Sequence, residues 1–329
     1  MRIAVLDDYL RAIPTLPSFA LLADHEVDVW DDHTDDVDVL AERLAPVEAL
    51  ILIRERTRIT AALLDRLPNL RVISNRSDTP HIDVAACTRH GVTVCSDLTA
   101  STFPSFATAE LTWALVLAAM RRLPDQVASL RAGGWQTAMG RTLFLRRYGV
   151  LGYGRLGAVI AGYAKAFGMQ VQVWASEASR ARAAADGYEV AASREDLFET
   201  SDVLSVHLRL VDATRGTVTA EDLGRMQPTS LFVNTSRAGL VAPGALAAAL
   251  RQGRPGMAAV DVFDQEPQGP GTPRDPLLDL DNVVATPHLG YVSLDDWDVM
   301  FRGAFEQVLA FAAGEPFNVV NPEATARSG

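Results

Sequence analysis

The sequence predicts two doubly wound α/β domains, each a parallel sheet with helices on both faces. Three observations carry that expectation. A chain of 329 residues, at ~150 per domain, is long enough for two cores. Short runs of β-branched and leucine residues recur at intervals of roughly 12–20 positions, the rhythm of strands alternating with helices. Hydrophobic residues make up 48% and charged residues 22%, which is globular usage and excludes wholesale disorder or a disulfide scaffold.

The elements follow in order. RIAVLDD opens the first block, and VDVWDD follows a helix-like SFALLADH. ALILIRE, LRVISNR and VTVCSD complete a series of buried parallel strands. Between them, helices are expected at Val37–Ala45, at Ala61–Leu67 before Pro68, and at Val84–His90 before Gly91, a residue suited to closing a helix. A long apolar helix, SFATAELTWALVLAAMRRL, has Pro104 near its first turn and reads as a linker buried against both blocks; Pro124 ends it or starts another. After Gly133 and Gly134 a second series begins: YGVLGYGRLG, VQVWAS, SDVLSVHL, SLFVNTS, MAAVDVF and NVVATPH. The chain is thus expected to cross twice, with residues 1–100 and 290–329 in one domain, 101–289 in the other, and a cleft between them.

Thirty basic against forty-one acidic residues give a net charge of −11, the wrong sign for gripping nucleic-acid phosphates or anionic lipid. Nucleic acid and membrane are therefore not expected partners. No segment approaches the ~20 apolar residues of a membrane span, and MRIAVLDDYL is not a secretory signal. Cys87 and Cys95 lie outside any metal-knuckle spacing and fit a reducing compartment, so the expected location is cytoplasmic. No metal is expected, because the six histidines show no ligand-like pairing.

Gly152-Tyr153-Gly154-Arg155-Leu156-Gly157 is a G-x-G-x-x-G between a strand at Tyr148–Leu151 and a helix with small residues at Ala161, Gly162 and Ala164. In that context Gly152 permits a tight turn, Gly154 lets backbone approach a pyrophosphate, and Gly157 lets helix meet strand. Unpaired N–H groups at the helix start then favour phosphate. Arg155 and Leu156 complete this dinucleotide loop. The acid that usually takes the adenosine ribose is missing at Ala175, and Ser176 and Glu177 follow it. Glu177 favours NAD, whereas Arg180 and Arg182 leave NADP open.

Three later segments end in reactive side chains after apolar strands: VNTSRAGLV with Arg237, DVFDQEP with Glu266 and ATPHLGY with His288. Behind the glycine motif, this ordered set resembles the D-isomer-specific 2-hydroxyacid dehydrogenase family, D-3-phosphoglycerate dehydrogenase included, from about Leu50 to Pro322. The resemblance implies a Rossmann nucleotide-binding domain inserted in a flavodoxin-like substrate domain, and hydride transfer between a nicotinamide and a D-2-hydroxy acid/2-keto acid pair. It assigns the proton-transfer role to His288, a residue type that titrates near neutrality. Glu266 would orient that imidazole and favour its protonated form, and Arg237 would hold the substrate carboxylate with its fork of N–H groups. His207, Leu208, Thr214, Thr235 and Ser236 match cofactor contacts of the family, and Asp261 matches its nicotinamide carboxamide partner. The resemblance also implies a homodimer formed through the nucleotide domain, for which Leu111–Met120 is a suitable segment.

Substrate identity is less legible. The family's glycine-rich turn before its Ile-Asp pair is replaced by Asn75-Arg76-Ser77-Asp78-Thr79-Pro80-His81, and Leu289-Gly290-Tyr291 replaces small residues after the histidine. Arg54 and Arg76 each follow a strand of the first domain, so both are expected at one sheet edge facing the cleft. Two cations opposite Arg237 would favour a substrate with a second anionic group, a phosphate or carboxylate, since a monoanion leaves one guanidinium unpaired. Pairing of one arginine with Glu55 or Asp78 is the alternative. A nucleotide-sensing, corepressor-like interaction protein on the same fold is the competing function.

Overall fold

The computed structural model describes residues 1–53, 55–76, 79–97, 106–269 and 271–325. The chain divides into two compact units, residues 1–104 with 293–329, and residues 105–292. The first is built on β1 (Arg2–Val5), β2 (Glu26–Val29), α1 (Val37–Leu44), β3 (Ala49–Ile51), α2 (Ala61–Leu64), β4 (Val72–Asn75), α3 (Val84–Arg89) and β5 (Thr93–Ser96). All its strand pairs are parallel, in the order β2-β1-β3-β4-β5, the flavodoxin-like winding. The helix starts have local causes, because Asp36, Thr60 and Asp83 each accept hydrogen bonds from backbone N–H groups of the first turn. Gly91 sits beyond α3 at φ 70, where a side chain would be strained. SFALLADH departs from expectation: Pro17–Leu22 forms 3-10 turns instead of an α-helix, with Pro17 opening the segment.

The second unit starts with α4 (Ala107–Met120) and α5 (Leu123–Arg131) and continues through β6 (Arg147–Leu151), α6 (Arg155–Ala166), β7 (Gln170–Trp174), α7 (Glu177–Ala185) and β8 (Glu189–Val190). It then runs through α8 (Arg194–Thr200), β9 (Val203–Val206), α9 (Ala220–Arg225), β10 (Leu231–Asn234), α10 (Ala245–Arg251), β11 (Met257–Val260) and β12 (Val283–Ala285). Its parallel strands are ordered β12-β11-β10-β9-β6-β7-β8. Strand alternation builds two cores. Val150, Val203, Leu231, Val233 and Ala259 face α4 and α6 in one, while Leu151, Leu204, Phe232, Ala258 and Val260 face the α8–α10 side in the other. α4 is apolar nearly all round and packs in the first of these cores, so it belongs to this unit. Pro124 lies in the first turn of α5. Pro104 falls outside the described residues.

The chain returns to the first unit with α11 (Leu294–Ala312) and α12 (Pro322–Thr325). Ser293 caps α11, and Ser74 at the end of β4 donates to the Ala304 carbonyl and to Gln307 Oε1, fixing that helix on the sheet. Among the described residues, no helix is long and apolar enough to cross a membrane.

Candidate active site

Strand order in the second unit reverses between β6 and β9, and the carboxyl ends on either side of such a reversal form the crevice where ligands bind in open parallel sheets. The glycine motif follows β6. Gly152 has φ 101, and a Cβ there would lie 2.6 Å from the His207 carbonyl oxygen, while one on Gly157 would lie 2.1 Å from the Gly152 carbonyl oxygen. Only glycine allows these approaches. A Cβ on Gly154, by contrast, would meet nothing within 4 Å, so open space lies over the middle of the loop at the start of α6, whose N-cap carries no side-chain hydrogen bond. An open cradle with backbone N–H groups and the positive end of a three-turn helix fits a pyrophosphate.

Other contacts fix this loop. The Tyr153 hydroxyl donates to Asp186 Oδ2 (2.7 Å), and Arg182 Nη2 donates to the Tyr153 carbonyl (2.8 Å). Arg180 stacks 4.3 Å over the Trp174 ring. Both arginines left open for a 2′-phosphate thus have work within the chain. Arg155, Ser176 and Glu177 are exposed, and Leu156 packs against the core.

His207 follows β9; its Nε2 lies 2.8 Å from Ser205 Oγ, and its Nδ1 is buried without a partner. Burial pushes the imidazole pKa down to about 4, so the ring is neutral. Leu208 approaches Gly152 closely. The Thr214 hydroxyl donates to the Arg209 carbonyl and accepts from Val211 N–H, closing its own turn. After β10, Thr235 Oγ1 is 2.6 Å from Thr112 Oγ1, which sits one turn from Thr108 on α4. Ser236 donates to the Val206 carbonyl. Asn234, 2% exposed, accepts from Ser236 N–H and donates to the Arg237 carbonyl, so the turn carrying Arg237 is tied down while its guanidinium stays exposed with one bond to the Ser236 carbonyl.

His288 follows β12 in a left-handed conformation, φ 54, which costs a non-glycine residue about 1 kcal/mol or more and persists only where surroundings enforce it. Asp261 enforces it here. This carboxylate is fully buried and accepts from Thr286 Oγ1 (2.6 Å), Leu289 N–H (2.7 Å) and Gly290 N–H (2.8 Å). Burial raises its pKa. Both carboxylate oxygens thus hold the histidine loop in place. Thr108 Oγ1 adds a bond to the Gly290 carbonyl. Thr108 and Thr112 were not singled out from sequence, although two threonines four apart in a mostly apolar helix were a visible signal.

His288 Nδ1 lies 2.5 Å from Glu266 Oε2, and Glu266 Oε1 accepts from Phe263 N–H (2.8 Å). Burial opposes ionisation of Glu266, but the bonds from His288 and Phe263, with the charge of Arg237, hold its pKa below the ordinary value. Glu266 is thus an anion that orients the imidazole and leaves Nε2 as the free ring atom. Tyr291 presents an edge to His288 at 5.5 Å. In the first unit, Arg76 donates to the Val299 carbonyl of α11 (3.0 Å). Its described hydrogen bond is thus to helix backbone. Arg54 and Asp78 lie outside the described residues. Among the described residues, no group of side chains is arranged to hold a metal ion.

A nucleotide crevice flanked by an imidazole–carboxylate pair and an exposed arginine defines a dinucleotide-dependent oxidoreductase. Residues 113–290 match the family model of the D-isomer specific 2-hydroxyacid dehydrogenase NAD binding domain. The glyoxylate reductase of Aeropyrum pernix is 36% identical over 311 residues, covering 91% of this chain and 90% of its own. The D-3-phosphoglycerate dehydrogenase of Methanocaldococcus jannaschii is 34% identical, but only 53% of its length is covered. A solved structure from Ralstonia solanacearum, provisionally a D-3-phosphoglycerate dehydrogenase, is 50% identical, with TM-score 0.91 and coverage of 99% of this chain and 98% of its own. The chain belongs to the D-isomer specific 2-hydroxyacid dehydrogenase family. It is an NAD-dependent oxidoreductase acting on CH–OH groups of 2-hydroxy acids, and the corepressor-like alternative is not favoured.

Proposed function

We propose that the enzyme interconverts a small 2-keto acid and its D-2-hydroxy acid, with His288 as the proton-transfer group. The observation that carries this is the His288–Glu266 pair, held in a strained conformation beside Arg237. Bound NAD supplies or accepts the hydride. Nε2 of His288 gives its proton to the substrate oxygen as the carbonyl carbon is reduced, and takes it back in the reverse direction. Glu266 keeps the ring oriented. Arg237 holds the substrate carboxylate with the N–H groups its Ser236 bond leaves free. Gly152, Gly154, Gly157 and the start of α6 cradle the pyrophosphate, with Arg155 and Leu156 alongside. Ser176 and Glu177 take the adenosine ribose, and the backbone around His207, Leu208, Thr235 and Ser236 lines the rest.

For the substrate side chain, the reading is a second anionic group met by Arg54 and Arg76. Support comes from the four N–H groups Arg76 retains beyond its single bond to Val299, and from a relative named for 3-phosphoglycerate, which carries a second anionic group. The compartment inferred is the cytoplasm, supported by Cys87 and Cys95 as buried free thiols. A homodimer is inferred through the second unit, supported by an apolar surface there and by the family's pairing through this domain.

The test is NADH oxidation with glyoxylate, pyruvate, a phosphorylated keto acid and a dicarboxylic keto acid. Turnover with at least one is expected, and His288→Ala should lower kcat by about 10²–10⁴ while NADH binding by fluorescence stays intact. NADH binding without turnover of any keto acid would favour an interaction protein, and near-native rates from His288→Ala would remove it from the mechanism. Arg76→Ala should shrink the kcat/KM advantage of the dianions; an unchanged ratio would sink that part.

A further inference from the structure

The first unit holds a buried polar cluster that the chemistry of the second does not use. Asp7 follows β1, is 1% exposed, and has φ 65, a left-handed turn made where the strand meets its carboxyl edge. Its Oδ2 accepts from Thr57 Oγ1 (2.7 Å), its Oδ1 lies 2.8 Å from His33 Nδ1, and its carbonyl accepts from Arg56 Nη1 (2.6 Å). Arg56 also stacks 4.3 Å over the Tyr9 ring. The neighbouring Asp8 is fully buried and spends both oxygens on Ala12 N–H and Ile13 N–H, which anchors the turn from the other side. His33 follows β2, and Thr57 follows β3. One aspartate therefore ties together the carboxyl ends of three adjacent strands.

The segment it holds runs on to Ile59, whose N–H donates to the His81 carbonyl beyond β4 (2.9 Å). His81 is 8% exposed, and neither ring nitrogen has a hydrogen-bond partner. A buried imidazole with both nitrogens unpaired is costly and rare. Here it stands at the sheet edge where open parallel sheets take their ligands, so a ligand is the natural source of the missing partner. Packing alone would be served as well by an apolar residue at each of these positions, without the strained turn at Asp7.

We propose that Asp7 and Thr57 are positioning residues, which hold the Glu55–Thr57 segment beside His81 so that this edge recognises the keto acid. The inference rests on the reading that the edge bearing Arg76 meets the substrate. Thr57→Val removes the hydroxyl and keeps the shape. With NADH and whichever keto acid the wild type reduces best, KM is expected to rise about three- to tenfold, the range one lost hydrogen bond spans. Changes in kcat and in NADH Kd should stay within about twofold, the signature of lost uniform binding. Thr57→Ser should restore KM, and Asp7→Asn should raise it at least as much as Thr57→Val; where Asp7→Asn fails to fold, the threonine pair decides. An unchanged KM in folded Thr57→Val, or the same rise in Thr57→Ser, overturns the proposal. Arg76→Ala separates the two readings. A raised KM there with none in Thr57→Val leaves the edge in substrate recognition and reduces the Asp7 cluster to scaffold, and no change in either variant sinks both.

Discussion

At the residue scale, the chain controls ionisation chiefly through what surrounds a group. His207 and His288 both follow strands of one sheet, yet only His288 has a carboxylate partner, while His207 has a hydroxyl on one nitrogen and nothing on the other. Burial keeps His207 neutral with a pKa of about 4, against about 6.5 when unfolded. The unfolded chain therefore binds more protons between these values, so the stability this ring contributes is complete above pH ~6.5 and is lost as pH falls toward 4. The loss amounts to about 2–3 kcal/mol. Urea unfolding at pH 7 and pH 4 should show wild type losing that much more stability than His207→Phe. Equal losses in the two proteins would place the neutral ring elsewhere than in this pocket.

At the element scale, the strand–loop–helix unit of β6 and α6 separates two uses of glycine that the motif alone does not distinguish. A Cβ on Gly157 would strike the Gly152 carbonyl at 2.1 Å, whereas one on Gly154 would enter open space. Gly157→Ala should therefore push α6 off the loop and cost about 1–3 kcal/mol in stability. Gly154→Ala should leave the melting temperature unchanged and weaken NADH binding, because the methyl fills the cradle. Calorimetric melting with NADH titration checks both, and a melting loss from Gly154→Ala would contradict the open cradle. The elements themselves were largely legible. Buried parallel strands must be apolar on both faces, and capping residues such as Asp36, Asp83 and Ser193 mark their helices locally. The SFALLADH stretch misled because helical periodicity competes there with Pro17 and a short span between strands.

For the whole molecule, the second unit leaves Trp135 73% and Met139 95% exposed, with Leu130, Phe144 and Leu145 also largely open. Nearby, Trp113, Leu117, Tyr163 and Phe167 line an apolar hollow. Five large apolar side chains open to water within residues 130–145 are the reason a second copy is the inferred occupant. Sedimentation or light scattering should give twice the 35.5 kDa chain mass, and Trp135→Asp with Met139→Asp should give a folded monomer. A wild-type monomer at micromolar concentration would refute the dimer.

What the sequence determined by itself was local or periodic: two parallel α/β sheets, the glycine loop, and the ordered arginine, glutamate and histidine at strand ends. Each follows from a pattern within a few residues, because strand burial, turn geometry and capping are decided by near neighbours. Tertiary structure decided the rest. Asp261 anchors the His288 loop, Thr112 meets Thr235, Arg76 turns to α11, and Asp7 binds Thr57 fifty positions away. Such pairings depend on which side chains the folded sheet brings within hydrogen-bond reach, and a polar residue buried far from its partner in sequence carries no local mark of whom it will meet.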